Sequence, residues 1–267
     1  MNKKIYYMLL IGIIMFCVGV IVVTTLKNSE NSNRENMLVV GLDDSFPPYG
    51  YRDENNEIVG LDIDLAKAVG EKIGMEVVFQ PISWASKEQE LNSGNIDCIW
   101  NGFAYNPERE KVMTLSRKYL KGEMYFMLKG DSNIKTQDEL VGKKIGVQSG
   151  SVQEADLEKS ELGKQSQIIS YTDFLTACMD LEMGGIDAVY SSSIYGNYII
   201  ESKNKYYITI SSFDISTASG SVIAFKLGNI ELKEKIENTL VELENEGKLE
   251  EISKKWLGIS MIKLQEE

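Results

Sequence analysis

The sequence predicts an α/β protein, and three observations carry that prediction. Short apolar runs of strand length alternate with segments whose apolar residues recur at helical spacing, the alternation comes in two successive series, and the strand-like runs end in loops rich in Pro, Gly, Ser and Asn. The first series is Met37 to Leu42, Gly60 to Gly74, Val77 to Gln80, Lys87 to Ser93 and Ile96 to Trp100. The second begins near Glu123 and runs to Ile210. From Ser221 on, the character changes to one strand-like run and two amphipathic helices.

Ahead of these elements, Lys3 and Lys4 precede an almost unbroken apolar run from Ile5 to Leu26, and polar Lys27 to Asn36 comes next. The run is long enough to cross a bilayer, and the lysines hold its start in the cytoplasm and export the remainder of the chain. A hydrophobic helix retained as an anchor is one reading, and a cleaved signal peptide is the other. No small-x-small cleavage site ends the run, and Cys17 comes directly after bulky Phe16, unlike a lipidated cysteine. Residues 1–26 are thus an anchor or signal segment and 27–36 a linker, with the working part extracytoplasmic, at the cell surface or in the periplasm.

Met37 to Leu42 reads as a buried strand that ends in Asp-Asp-Ser-Phe-Pro-Pro-Tyr-Gly. Two prolines and a glycine exclude regular structure there, which leaves Phe46 and Tyr49 in a loop at a strand's carboxyl end, the edge where open α/β sheets bind ligands. Gly60 to Gly74 carries Leu61, Leu65, Ala68, Val69 and Ile73 on one helical face, with Asp62 and Asp64 in the first turn and a glycine stop. The Val77 to Gln80 strand delivers Trp84 to a second strand-end loop, and Lys87 to Ser93 is a short helix. Ile96 to Trp100 is a buried strand that opens at Asn101-Gly102 into a loop carrying Arg109. An arginine so placed reaches a cleft with the planar fork that holds a carboxylate, although within Glu-Arg-Glu-Lys it equally reads as a solvated residue.

In the second series, Met124 to Leu128 and Lys144 to Val147 are strands. The latter breaks into Gln148-Ser-Gly-Ser before the helical Val152 to Lys159. Ser151 is there a simple cap, or part of a helix terminus that favours an anion. Ile168 to Tyr171, Phe174 to Met183, Asp187 to Tyr190, Ile194 to Ile200 and Tyr206 to Ile210 complete the alternation. In the last part, Leu232, Ile236, Leu240, Leu243, Leu249, Ile252 and Trp256 read as core packing.

The chain has 267 residues, 43% hydrophobic and 25% charged, enough for one large or two small domains. A net charge of -12 argues against a nucleic-acid partner. The sequence contains no histidine, the commonest general base and metal ligand, which argues against a hydrolase or metalloenzyme; the chain is expected to be no enzyme and to carry no metal or other cofactor. Cys98 and Cys178 have no partner at a diagnostic spacing and read as small buried hydrophobes.

Several motifs stand in a telling order: Val40-Gly-Leu-Asp with Phe46 and Pro48-Tyr49, Gly60-Leu-Asp-Ile-Asp-Leu, Trp84, Leu91-Asn-Ser-Gly-Asn-Ile-Asp and Pro107-Glu-Arg-Glu. Further along are Leu140-Val-Gly-Lys-Lys-Ile-Gly-Val-Gln-Ser-Gly-Ser, Gly185-Ile-Asp-Ala-Val, Glu246-Gly-Lys and Lys255-Trp-Leu-Gly. Over residues 37 to 260 the chain resembles the extracytoplasmic solute-binding proteins, family 3, that serve ABC transporters for polar amino acids. The resemblance implies a two-lobed periplasmic-binding-protein-like (type II) fold with two crossing hinge segments. Lobe one would be 37–119 and 220–267, and lobe two 122–217. It also implies binding of a small carboxylate-bearing solute by hinge closure and delivery to an ABC transporter permease.

By the same resemblance, Arg109 clamps the ligand carboxylate with help from Ser151 and the backbone at Gly102. Phe46 and Trp84 sandwich the ligand side chain, Asp43 contacts its distal end, and Gln148 stands where relatives carry a lysine or another polar group. Two positions depart from the pattern: Ala104 replaces the usual Ser or Thr, and Ser192 replaces the aspartate that pairs with an α-ammonium. The ligand therefore either lacks an ordinary α-ammonium or finds its counter-charge at Asp43, Asp44 or Glu154, with Tyr190 and Tyr195 as rings that face a cation. Two other functions remain open on this scaffold: a sensor module, and an enzyme resembling the cyclohexadienyl dehydratases, which use a cleft carboxylate as acid.

Overall fold

The computed structural model describes residues 34, 36–202, 207–212, 215 and 220–265. The expected segment 1–26 and most of the linker lie outside the described residues, among which no helix is long and apolar enough to cross a membrane.

The chain starts with β1 (Met37–Leu42) and a small antiparallel sheet of β2 (Ser45–Phe46), β3 (Gly50–Arg52) and β4 (Ile58–Val59). Next come α1 (Leu61–Ile73), β5 (Glu76–Pro81), a single 3₁₀ turn (Trp84–Ser86), α2 (Lys87–Ser93), β6 (Cys98–Ile99), α3 (Pro107–Glu110) and β7 (Met113–Leu115). A second group comprises β8 (Met124–Lys129), β9 (Lys144–Gln148), α4 (Val152–Lys159), α5 (Glu161–Lys164), β10 (Gln167–Tyr171), α6 (Phe174–Met183), β11 (Ala188–Ser192), α7 (Ser193–Ser202) and β12 (Tyr207–Ser211). The chain ends in β13 (Ala224–Lys226), α8 (Ile230–Asn245) and α9 (Lys248–Leu257).

Two five-stranded sheets organise these elements, in the orders β5-β1-β6-β13-β7 and β10-β9-β11-β8-β12. The sequence pattern predicts parallel layers, yet each sheet contains one reversed strand. β13 runs antiparallel to β6 and β7, and β8 antiparallel to β11 and β12. Both are the first strands laid down after the chain crosses from one sheet to the other. A strand that enters from the edge where the parallel strands end must run away from it. The two crossings pair with each other at Leu120 and Ser221, through Tyr119 N–H to the Ser221 carbonyl at 3.0 Å and Ser221 N–H to the Leu120 carbonyl at 2.7 Å.

The local reasons for the elements are legible. α1 buries Leu61, Ile63, Leu65, Ala66 and Val69, and Gly74 ends it in the left-handed conformation. Its Asp64 accepts the Trp256 indole N–H at 2.7 Å and pairs with Lys255 at 2.6 Å, which fastens α9 to the first lobe. Trp256 is thus structural, as its helical spacing predicts.

The expectation of irregular structure after β1 is corrected. Pro47-Pro48 occupy only the turn, where no ladder N–H is needed, while Ser45 pairs with Tyr51 and Phe46 with Gly50 on either side. The predicted strand 96–100 shrinks to Cys98–Ile99, although Ile96 and Trp100 stay buried beside it. Cys98 and Cys178 are buried, as expected, and no disulfide joins them.

The largest buried apolar cluster joins both lobes. Phe46 from the first lobe stacks on Tyr195 at 5.1 Å and on Phe174 at 5.5 Å from the second, and Tyr49 stacks on Phe46 at 5.1 Å. Such ring pairs contribute roughly 0.5–1.5 kcal/mol each beyond area burial. The Tyr198 hydroxyl also donates to the Tyr51 hydroxyl at 3.0 Å, so the lobes are held closed on each other.

Candidate ligand-binding cleft

Strand-end loops from both sheets converge on one cleft. Phe46 and Tyr49 lie beyond β1, Trp84 beyond β5, Gly102, Ala104 and Arg109 beyond β6, Gln148, Val152 and Gln153 at and beyond the end of β9, and Ser192 ends β11. The crossings contribute Gly122, Met124, Gly220 and Ser221, and α6 contributes Phe174. The cavity enclosed between these walls is only about 30 Å³, far below the roughly 300–1,000 Å³ of ordinary small-molecule sites, as lobes closed directly on each other leave it.

Arg109 is aimed inward by its own short helix. Pro107 opens the turn and the Asn106 side chain accepts the Glu108 N–H at 2.7 Å, which turns the next side chain toward the cleft. The guanidinium carbon lies 3.9 Å from the centre of the Phe103 ring, and Nη1 donates to the Ala104 carbonyl at 2.6 Å. The residue is only 9% exposed. Burial pulls its pKa down to about 10, against the opposing pull of Glu88 and Asp156. Among the described residues no carboxylate comes within ion-pair distance of it.

Ala104 leaves a donor beside this cation. Its bridge to Ser221 uses the Tyr105 and Val222 N–H groups, and no partner among the described residues engages the Ala104 N–H. Gly102 behaves differently from expectation. It lines the cleft with φ +57°, where an added Cβ would meet the Tyr49 ring at 2.8 Å. Its N–H, however, donates to Asp62 at 2.6 Å and is not free for a carboxylate.

Asp62 is fully buried and also accepts the Tyr119 hydroxyl at 2.9 Å. Burial raises its pKa to about 7, more than these hydrogen bonds lower it. It holds the floor of the Gly102 loop.

On the opposite wall Ser151 caps α4 and accepts the Glu154 N–H at 3.1 Å. It sits just behind the lining, while Val152 and Gln153 present the open helix terminus to the cleft. Asp43 also stands behind the lining. It accepts the Gln148 side-chain amide at 2.6 Å, a bond from lobe to lobe, and Ser45 N–H at 2.9 Å. Burial pushes its pKa up.

The structure thus gathers Phe46, Trp84, Gly102, Ala104, Arg109, Gln148 and Ser192 around one space and sets Asp43 and Ser151 one layer back. Phe46 is already stacked within its aromatic cluster, whereas Trp84 stands edge-on to Phe103 at 5.9 Å. Tyr190 does not face the cleft. It is fully buried in the second lobe and stacks on Phe126 at 4.7 Å.

Lys87 escaped sequence reasoning, because a lysine opening a short helix reads as solvent-facing. It is 3% exposed and donates to the Trp84 carbonyl at 3.1 Å and, across the lobes, to the Gly150 carbonyl at 2.7 Å. Burial and the nearby Arg109 pull its pKa down to about 8. Gly150 has φ +72°, and a Cβ there would come within 2.8 Å of the Ala85 Cα, so the close approach of the lobes requires glycine. Met124, Gly220 and Ser221 carried no sequence signal beyond their place at the crossings.

Comparison with known proteins finds relatives over nearly the whole of this fold. The profile of the bacterial extracellular solute-binding proteins, family 3, matches residues 38–259. The L-cystine-binding protein TcyJ of Escherichia coli (strain K12) is 28% identical over 228 residues, 85% of this chain and 84% of that protein. The arginine-binding extracellular protein ArtP of Bacillus subtilis (strain 168) is 31% identical over 236 residues, 86% of this chain and 89% of its own. The crystal structure of an ABC uptake transporter substrate binding protein from Streptococcus pneumoniae with bound histidine superposes with a TM-score of 0.81 at 31% identity, covering 88% of this chain and 98% of that one.

Proposed function

The chain belongs to the bacterial extracellular solute-binding proteins, family 3, and from that premise we propose that it captures a small carboxylate-bearing solute, an amino acid or a derivative of one, for delivery to an ABC transporter permease. Arg109 carries this reading. A buried guanidinium with no described acid in ion-pair reach, next to an Ala104 N–H that no described residue engages and facing the open terminus of α4, is an arrangement that favours a carboxylate. In the proposal the lobes, 37–119 with 220–267 and 122–217, close by hinge motion, and the closed form completes the ligand contacts. Trp84 and Phe46 bound the ligand side chain and Gln148 its far end.

Residues 1–26 tether the protein to the outer face of the cytoplasmic membrane, or direct its export and are removed; detection of the mature amino terminus by mass spectrometry distinguishes these. Capture rather than catalysis is favoured because no carboxylate is among the described lining residues, which leaves a dehydration of the cyclohexadienyl type without its acid. The proposal is tested by calorimetry with a panel of amino acids, amino-acid derivatives, simple carboxylates and neutral amines. Carboxylates are expected to bind; binding of amines alone would reverse the role given to Arg109.

A further inference from the structure

The cleft carries positive charge, and among the described residues that line it no carboxylate stands ready to balance a second cation. Arg109 is the one charged residue among the described residues that line it, and buried Lys87 is close enough to be repelled by it. Apart from Glu88 and Asp156, which act on Arg109 itself, the described acids around the cleft already accept hydrogen bonds or ion pairs from other groups. Asp43 Oδ1 accepts the Ser45 N–H at 2.9 Å and its hydroxyl at 2.5 Å, and Oδ2 accepts Gln148 at 2.6 Å. Asp44 pairs with Arg52 at 2.5 Å. Glu154 accepts the Gly150 N–H at 2.7 Å and the Ser170 hydroxyl. Asp173 caps α6 through the Thr176 N–H at 2.7 Å and holds the Thr172 and Thr176 hydroxyls, each at 2.9 Å. Asp62 is sealed below Gly102 and Tyr119.

The end of the cleft away from these acids is neutral. The Ser192 oxygen accepts the Tyr195 N–H at 3.3 Å, as a cap to α7. Ser192 and Ser221 share this wall with Tyr49, which is buried beside the Phe46 ring. A ligand ammonium placed there loses its water and meets, among the described residues, only neutral dipoles, in a site already positive at Arg109 and Lys87. A desolvated cation without a carboxylate is strongly disfavoured, whereas an amide N–H, a hydroxyl or a ketone is matched by the same hydroxyls.

Resting on the carboxylate reading above, we propose that the preferred ligand is a carboxylic acid whose α-substituent is uncharged, an N-acylated amino acid foremost, held as a net anion. The test is calorimetry on the full chain with matched pairs, each amino acid against its N-acetyl and 2-hydroxy counterparts with the same side chain. The uncharged counterparts are expected to bind at least ten-fold more tightly. Ser192→Asp should reverse the order by a similar factor, and Ser192→Ala, which adds no charge, should leave the order as it is. Zwitterions binding as tightly as their N-acetyl partners in the unaltered protein would overturn the proposal. If they do so while Arg109→Met still abolishes binding, the carboxylate reading stands and only this inference falls; if neither set binds, both fall.

Discussion

Replacing Arg109 with methionine is expected to move stability and affinity in opposite directions. The guanidinium is 9% exposed, and burial brings its pKa from an ordinary 12.5 to about 10. At about 1.4 kcal/mol per pH unit, its charge costs the folded protein on the order of 3 kcal/mol at neutral pH, where arginine is protonated in both states. Its hydrogen bond to the Ala104 carbonyl at 2.6 Å offsets roughly 1.5–3 kcal/mol of that. Methionine keeps apolar contact with Phe103 and removes both terms, so the ligand-free protein should be unchanged or up to about 2 kcal/mol more stable. A chain of this size gains about 2–4 °C in Tm per kcal/mol, which thermal scanning resolves. With a carboxylate ligand the same change should cost roughly 2–5 kcal/mol, about thirty-fold to several thousand-fold in Kd, read by calorimetry. A Tm lowered by more than about 5 °C with undiminished ligand affinity would make Arg109 a structural residue and refute the reasoning.

Three further substitutions probe the closed state and its buried acid. Gly150→Ala brings a Cβ to 2.8 Å from the Ala85 Cα at φ +72°. Opening the lobes relieves that clash, so small-angle scattering should report a larger radius of gyration and ligand binding should weaken at least about ten-fold; an unchanged radius and affinity would show that closure does not pass over this contact. Phe46→Ala empties the ring stack between Tyr49, Phe174 and Tyr195, and a loss of about 3 kcal/mol is expected in denaturant titration. Asp62 rises from an ordinary 3.8 to about 7 in the fold. The folded state then holds its proton more tightly than the unfolded chain, so the contribution of Asp62 to stability is fully present below about pH 4 and falls by on the order of 4 kcal/mol as pH rises to about 7. Asp62→Asn keeps an acceptor for the Gly102 N–H and should remove that part of the slope, and parallel pH-stability curves for the two proteins would count against it.

Much of the fold was legible because it rests on local periodicity. α1, α2 and α6 lie where the sequence pattern predicts helices and stop at Gly74, Gly94 and Gly184, and α4 starts where the Ser151 cap predicts, since a helix face, its cap and its stop are properties of contiguous residues. The small sheet after β1 was not, because two prolines obscure pairing that occurs only on either side of them. The reversed strands β8 and β13 were also hidden, since strand direction depends on where the chain re-enters a sheet.

The sequence by itself determined the α/β class, the alternation that builds two sheets, and the motifs around Phe46, Trp84, Gly102, Arg109 and Gln148 that mark a cleft. It also carried the two departures, Ala104 and Ser192. Only the tertiary structure decided how those groups are engaged: the Gly102 N–H is spent on Asp62, Asp43 is bound across the lobes by Gln148, Lys87 is buried against Gly150, and no described acid faces the ligand space. The physical reason is that periodicity and capping are set by neighbours along the chain, whereas burial, charge pairing and the commitment of a hydrogen-bond donor depend on partners tens of residues away that meet only when the two lobes close.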